Sequence, residues 1–475
     1  MTGWLSVIRF DEPVSLDHVG QPGRRGGCPL SPIVWFLRMR TVLRVFLAIT
    51  YLAVVLVPLW LALGADPGSG GPAYELSMAT GLVALSLLAI AYVLPKRVRA
   101  LSRCLGIDVV LGVHRLVGLA ALAFVFVHIV TVLAIERGNL ALLDLTSAPA
   151  RARAAVVATV AMVLLVVTSV WRRRLIPSYE SWRAVHISLA VTAVVLAGLH
   201  VWWLRHLVLE PRFRWWFLAL AVLVVAASLR RWVWRPLSSW TRPYVVDAVR
   251  RESPTVSTLV LRPSGHRGIR RFRPGQFAWI RLGSTPMGFE EHPFTIASAP
   301  RRSGEIEFTI KQLGDFSNGI AEVAVGDKVW VDGPHGAFSP DHHRSQGLVL
   351  IAGGVGITPM ISVLRSLAQR GDQREHLLFV SARALEELLF REEITELADQ
   401  LRLRVVELLD KPHDGWTGGT GFLDAQVLAT NLPRRFGRLD FFICGPPPMV
   451  TGVITSLRKL GVAQHHIHTE KFDFV

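Results

Sequence analysis

Cysteine is nearly absent from this sequence: the 475 residues contain three, at Cys28, Cys104 and Cys444. Positions so far apart offer neither a disulfide framework nor the paired spacing of a zinc site. The first 35 residues lack the basic start, apolar run and small-residue cleavage site of a secretory signal. Residues 1–40 are therefore expected to be a disordered tail, with its role and the true start left open. No loop has the EF-hand pattern, so calcium control is not expected. Acidic side chains are also in deficit, 36 against 52 Lys and Arg. Such an excess of positive charge can serve a nucleic acid. Here the arginines stand beside apolar runs instead of forming a solvated stripe, which argues for a membrane and against nucleic acid.

What is abundant is apolar sequence, 51% of the chain, and it is unevenly spread. Six runs precede Trp240, at roughly 45–64, 76–94, 109–135, 154–170, 184–204 and 215–229. About 20 mainly apolar residues carry a helix across the hydrocarbon, so these read as six spans. After residue 240 the runs give way to short alternating stretches cut by Gly and Pro, then to strand–Gly-loop–helix patterns. Fourteen Lys and Arg flank the span ends on one side and six on the other. The richer side is expected to be cytoplasmic. With six spans, both termini and the soluble half share that side. A bacterial plasma membrane is the expected location.

Two spans carry histidine pairs. His114 and His128 lie in the third run, His186 and His200 in the fifth, and each pair is 14 residues apart. Fourteen helical steps return to within about 40° of the same face and rise about 21 Å. Both runs leave the basic side, so His114 should be level with His186 and His128 with His200. Imidazoles on opposite sides of a flat cofactor suit six-coordinate haem iron, and closed axial positions favour electron transfer. Any one of the four, taken alone, reads first as an interhelical hydrogen-bonder or a proton relay and only second as a ligand. Four in matched register point to two b-type haems. Arg115 reads either as a snorkelling cation or as a partner for a haem propionate.

In the soluble half, "RFRPGQFAWIRL" and the short stretches after it suit a small antiparallel barrel. "LVLIAGGVGITPMISVLRSL" then reads as a strand, a Gly-rich turn and a helix, an arrangement that offers backbone N–H groups to a pyrophosphate. "HLLFVSAR" and "LDFFICGPPPM" continue a parallel α/β sheet. Ser381 and Arg383 follow the second of these strands, where an Arg can accommodate a 2′-phosphate. NADPH is therefore expected, with NADH the alternative. Lys311 and Ser317 read either as contacts to flavin phosphates or as solvated loop residues.

Together these segments resemble the ferredoxin-reductase family. "HPFTIAS" resembles its flavin motif, which implies FAD contacts from His292, Pro293, Phe294, Thr295 and Ser298. "GGVGITP" and "CGPPPM" resemble its two nicotinamide-dinucleotide motifs, implying roles for Gly353, Gly354, Gly356, Thr358, Pro359, Cys444, Gly445 and Pro446. The resemblance also implies that Cys444 lies near the nicotinamide and that Phe472 or Phe474 covers the flavin. From about residue 40 onward the chain resembles the NADPH oxidase and ferric reductase superfamily. In that family, histidines matching His114, His128, His186 and His200 bind stacked haems.

The expected protein is multi-domain: a tail (1–40), a six-helix transmembrane haem domain (41–236), an antiparallel β-barrel FAD domain (237–343) and an α/β parallel-sheet NAD(P)H domain (344–475). It would carry electrons from cytosolic NADPH through FAD and two haems to a small-molecule acceptor. Oxygen, giving superoxide, is the first expectation and a ferric or cupric chelate the second. Membrane lipid is the only other partner called for; nothing demands a partner subunit. A third reading makes the histidines a proton or ion pathway governed by a redox-sensing flavin domain. A fourth makes the membrane half an anchor for a soluble flavin reductase.

Overall fold

The computed structural model describes residues 49, 52, 53, 56, 57, 59–61, 71–96, 102, 105–135, 137–176, 178–288, 290–343 and 345–470. The tail, most of the first apolar run, Phe472 and Phe474 lie outside these residues.

Five helices among the described residues are long and apolar enough to cross a membrane. They are α1 (Gly71–Val93), α2 (Ile107–Ile135), α3 (Ala150–Val170), α4 (Tyr179–Trp203) and α5, which starts at Pro211 and runs to Leu229 before continuing to Trp240. α1 packs along α2, and α3 along α4. Small residues, Ala91, Ala121, Ala161 and Ala193, sit in the buried seam with Val83, Leu87, Val117 and Met162. Without a hydrophobic drive between helices in lipid, such residues let backbones approach closely enough for dispersion to hold them. The large side chains face outward: Leu116 is 66% exposed, Phe126 68% and Trp215 64%. An apolar surface of that extent belongs in lipid, and this is an integral membrane protein.

α5 does not end cleanly. Residues Arg230–Trp234 form a π turn before the helix resumes at Arg235–Trp240. Pro236 has no N–H to give the carbonyl four residues back, which accounts for the interruption. The turn carries Arg231 into a buried position.

Beyond Trp240 come two six-stranded sheets. The first contains β1 (Tyr244–Ser253), β2 (Val256–Pro263), β3 (Phe277–Leu282), β4 (His292–Thr295), β5 (Ile306–Lys311) and β6 (Lys328–His335). Its order is β4-β3-β6-β1-β2-β5 and every pairing is antiparallel. The outermost strands approach one another at a bridge between Ile296 and Phe308, where Ala297 N donates to Glu307 O at 2.8 Å. Alternate residues fill one core, including Leu259, Leu261, Ile280, Ile306 and Phe308.

The second sheet contains β7 (Gly347–Gly353), β8 (Glu375–Ala382), β9 (Arg402–Leu409), β10 (Gly419–Thr420), β11 (Asp440–Cys444) and β12 (Ile467–Glu470), in the order β10-β9-β8-β7-β11-β12. All its pairings are parallel. Every residue of β7 is buried, as a strand covered on both faces requires. From β7 the chain moves outward to β8 on one side and later returns to β11 on the other. The strand order therefore reverses between β7 and β11, and ligands of open α/β sheets bind in the crevice at that point. β7 ends at Gly353 and leads into helix α6 (Ile357–Gln369); β11 ends at Cys444 and leads into α7 (Pro447–Lys459).

Close packing across this crevice accounts for two of its glycines. A Cβ on Gly353 would stand 2.3 Å from Met449 Sδ, and one on Gly356 would stand 2.3 Å from the backbone oxygen of Cys444. Gly356→Ala should therefore overpack the crevice, at a cost of about 1–3 kcal/mol. Gly452→Ala, on the open face of α7 with nothing within 4 Å, should be neutral or stabilising by about 0.5–1 kcal/mol. Thermal unfolding of the two variants side by side reads the difference.

Candidate functional site

The four span histidines are held alike. His114 Nδ1 lies 2.9 Å from Ala91 O and His128 Nδ1 2.7 Å from Ser77 O, both on α1. His200 Nδ1 lies 2.9 Å from Arg151 O, and His186 Nδ1 3.1 Å from Ser169 Oγ, both on α3. Carbonyl oxygens only accept, so three of these Nδ1 atoms carry the proton. The Ser169 hydroxyl already donates to Leu165 O at 2.7 Å, so it accepts from His186 as well. All four rings are thus the Nδ1–H tautomer, and among the described residues no hydrogen bond takes up the Nε2 lone pair. That is how metal-binding histidines are oriented.

Local sequence makes these bonds available. Ala91 lies in the last turn of α1, and the residue four places on is Pro95, which has no N–H. The Ala91 carbonyl is thereby left for His114. At the other level, a Cβ on Gly81 would stand 2.9 Å from His128 Nδ1. Only glycine lets that ring lie against α1.

The histidines also meet in level pairs. The rings of His114 and His186 are 6.2 Å apart, centre to centre. That separation leaves room for one metal ion bonded to a ring nitrogen at about 2 Å on each side. His200 lies within electrostatic reach of His128. Two buried donors beside the inner pair, Trp182 Nε1 and Arg172 Nε, have no hydrogen-bond partner among the described residues. Such donors suit the carboxylates at the rim of a haem. The donor set fits two bis-histidine haems.

The basic ends of the spans meet the first sheet through one carboxylate. Glu291, 3% exposed, accepts from Arg183 of α4 at 2.5 Å, from Arg281 of β3 at 2.8 Å and from Arg231 of the π turn. His292 follows it. From that ring a series of aromatic neighbours leads inward: Tyr179 at 6.0 Å, Trp182 a further 5.8 Å, and His186 a further 5.1 Å. The Arg172 guanidinium lies 5.1 Å from the Tyr179 ring and 5.2 Å from Trp182, within cation–π range.

In the flavin-like stretch, His292 to Thr295 form β4 with Pro293 and Phe294 half-buried. The Thr295 hydroxyl is buried without a partner among the described residues, and a flavin heteroatom would satisfy it. Ser298 is fully buried and accepts from Glu307 N at 3.2 Å. Lys311 ends β5. The Ser317 hydroxyl is committed to its own turn, accepting from Leu313 N and Gly314 N at 2.9 and 3.0 Å.

Around the crevice, Gly354 has a φ of +52° with open space above it, a backbone conformation and clearance that favour glycine. Thr358 and Pro359 are buried in the first turn of α6, the Thr358 hydroxyl donating to Val355 O at 3.0 Å. A Cβ on Gly445 would stand 3.1 Å from Gly353 N, and Pro446 precedes α7. The two nicotinamide-like motifs are therefore packed against each other. Ser381, next to last in β8, is half-buried and Arg383 is exposed just beyond the strand.

Cys444 is fully buried and sits opposite Glu470 in register. Burial pushes both the thiol and the Glu470 carboxyl well above their ordinary values, and Asp108 at the start of α2 adds to both shifts. Cys444 is thus a neutral thiol, unsuited to nucleophilic chemistry.

Glu291, Tyr179, Trp182 and Glu470 were not anticipated from sequence. Glu291 is one of two adjacent acids in a basic region, immediately before a flavin-like motif, and that was the available signal.

Comparison with known proteins assigns three consecutive regions. Residues 80–197 match the ferric reductase like transmembrane component, 251–353 an FAD-binding domain and 350–454 the oxidoreductase NAD-binding domain. The chain thus joins a ferric reductase like transmembrane region to an FAD-binding domain and an oxidoreductase NAD-binding domain. In that order the three regions make up the architecture of the NADPH oxidase and ferric reductase superfamily.

Among individual relatives, NADH-cytochrome b5 reductase 1 of Pyricularia oryzae is 34% identical over 174 residues, covering 35% of this chain and 56% of that protein. The phenol hydroxylase P5 protein of Acinetobacter pittii is 35% identical over 207 residues, covering 42% and 58%. The chain therefore spans little more than half the length of these relatives. Among solved structures, the flavohem-like FAD/NAD-binding domain of nitric oxide dioxygenase from Vibrio cholerae O1 biovar El Tor is 25% identical. It covers 48% of this chain and 98% of that one, with a TM-score of 0.44.

Removing the shared carboxylate would leave three guanidinium groups facing one another in a buried place. Glu291→Ala should cost about 3–5 kcal/mol, read as a lowered unfolding midpoint. Glu290→Ala, its exposed neighbour, should stay within about 0.5 kcal/mol of the parent.

Proposed function

We propose that this protein carries electrons across the membrane, from cytosolic NADPH through FAD and two b-type haems to an acceptor on the far side. The observation that carries the reading is the common state of the four histidines: Nδ1–H committed to a neighbouring helix, Nε2 left over, in two level pairs. A proton relay would need rings able to turn and exchange protons at both nitrogens, and these are fixed at one.

His114 and His186 would hold the inner haem, His128 and His200 the outer one. The chemistry that bound FAD and haem iron would supply is conversion of a two-electron hydride donor into single electrons and their onward passage. The protein's part is orientation. Ala91, Ser77, Ser169 and Arg151 fix the imidazoles, while Glu291 fixes the β4 end of the first sheet against α4 and α5. Thr295 and the neighbouring β4 backbone would receive the flavin. Gly353, Gly354 and Gly356 would admit the dinucleotide pyrophosphate at the switch point, and Cys444 would close the base of the nicotinamide site. Arg383 favours the 2′-phosphate of NADPH, with NADH the alternative.

We place both termini and the nucleotide-binding half in the cytoplasm, on a six-span count that includes the run at 45–64. The first sheet acts as an antiparallel barrel, and a bacterial plasma membrane is the setting. Oxygen reduced to superoxide is the acceptor proposed first. The match of residues 80–197 to a ferric reductase like component favours a ferric chelate as the second.

The purified protein should show a low-spin bis-histidine spectrum, two haems per chain, reduced on adding NADPH. Preparations free of haem from haem-replete cells would overturn the proposal. His128→Ala should leave one haem per chain. Gly81→Ala, whose Cβ presses on that same ring, should perturb the outer haem signal and spare the inner. NADPH consumption with oxygen and with ferric chelate, each with and without superoxide dismutase, assigns the acceptor.

A further inference from the structure

At the end of the second sheet remote from the crevice, three imidazoles surround one buried carboxylate. Asp440, 3% exposed, opens β11. Its Oδ1 accepts from His466 Nδ1 at 3.0 Å and from His468 Nε2 at 3.1 Å. The ring of His343, from the connection leading into β7, lies 3.9 Å from that of His468. Ligand atoms of His343, Asp440 and His468 all lie within 4.8 Å of one another.

We propose that His343, Asp440 and His468 form a binding site for a divalent transition-metal ion, zinc foremost, with His466 orienting the carboxylate. Two imidazoles and a carboxylate are the borderline nitrogen and oxygen donors that suit zinc, and three protein ligands leave a fourth position for water. The His466 hydrogen bond fixes Asp440 as outer-shell partners fix ligating carboxylates. Two imidazoles in face contact beside a carboxylate repel one another when both are protonated. A cation coordinated by both reverses that repulsion. Binding displaces the proton that His468 Nε2 shares with Asp440, so uptake should release protons.

The placement indicates a structural role. His343, Asp440 and His468 come from three separate segments: the connection between the two sheets, the start of β11, and β12. β12 is a four-residue edge strand paired on one side only, and its last residue, Glu470, stands opposite Cys444. A metal clip at His468 would hold this short strand, and so Glu470, in register. The site is independent of the haem assignment.

The test uses the full-length protein without a polyhistidine tag, stripped with a chelator and titrated with zinc. Elemental analysis and thermal unfolding are the two readouts. One saturable equivalent of zinc, a rise in unfolding midpoint and proton release are expected. His343→Ala and His468→Ala should each lose the equivalent and the rise, while His413→Ala, on an exposed loop, should keep both. If His468→Ala does not fold, His343→Gln decides alone. A parent that takes up no zinc at tens of micromolar would leave only a hydrogen-bonded His–Asp–His cluster and overturn the proposal. So would variants that bind zinc as the parent does.

Discussion

An imidazole in hydrocarbon has to place its N–H, and in this fold the helix preceding it in the chain supplies the acceptor each time. That constraint organises the membrane half. α1 receives both protons from α2, and α3 receives both from α4. Each histidine helix is thereby locked in height and rotation to an antiparallel partner. The two locked hairpins then bring the remaining nitrogens to matching levels. The alanine-lined seam follows, because Nδ1 reaches a backbone oxygen on the next helix only where no large side chain intervenes. Pro95 and Gly81 are the two positions where sequence opens the way, one by removing a competing donor and one by removing a Cβ.

The second organising contact is electrostatic. Three arginines from three elements converge on Glu291, and two of them are far from it in sequence: Arg183 is 108 residues away and Arg231 is 60. Buried, each guanidinium carries a large desolvation cost, offset only by a carboxylate in good geometry. The arrangement is therefore specific to one docking of sheet on helices. It fixes His292 beside Tyr179, and through Trp182 beside His186. The flavin-like strand and the inner histidine pair are joined by contact instead of by a flexible linker.

Periodicity explains what was legible in the sequence. The 14-residue interval needs only helix geometry, and the first Gly-rich turn needs only the strand–turn–helix pattern that offers backbone N–H groups to a pyrophosphate; "CGPPPM" was legible through the family resemblance. Local patterns of that kind survive without knowledge of the fold. Arg183 and Arg231 had a local reading too, as charges marking the cytoplasmic side. Nothing nearby in sequence showed that both point at one carboxylate. Ser317, read either as a flavin contact or as a solvated loop residue, has its hydroxyl hydrogen-bonded within the turn it sits in, a partner that loop position alone did not show. Phe472 and Phe474 lie outside the described residues.

Glu470 shows how the two halves complete one site. The carboxyl is buried opposite Cys444 on an edge strand, and Asp108 from the start of α2 acts on both groups. A carboxylate from the membrane half therefore helps to set the protonation of the nicotinamide-like crevice. Burial first, and then the like charge of Asp108, both oppose ionisation of Glu470 and push its carboxyl well above the usual range. The start of α2 thus acts on the base of the crevice, so the helices bear on the second sheet as well as on the first.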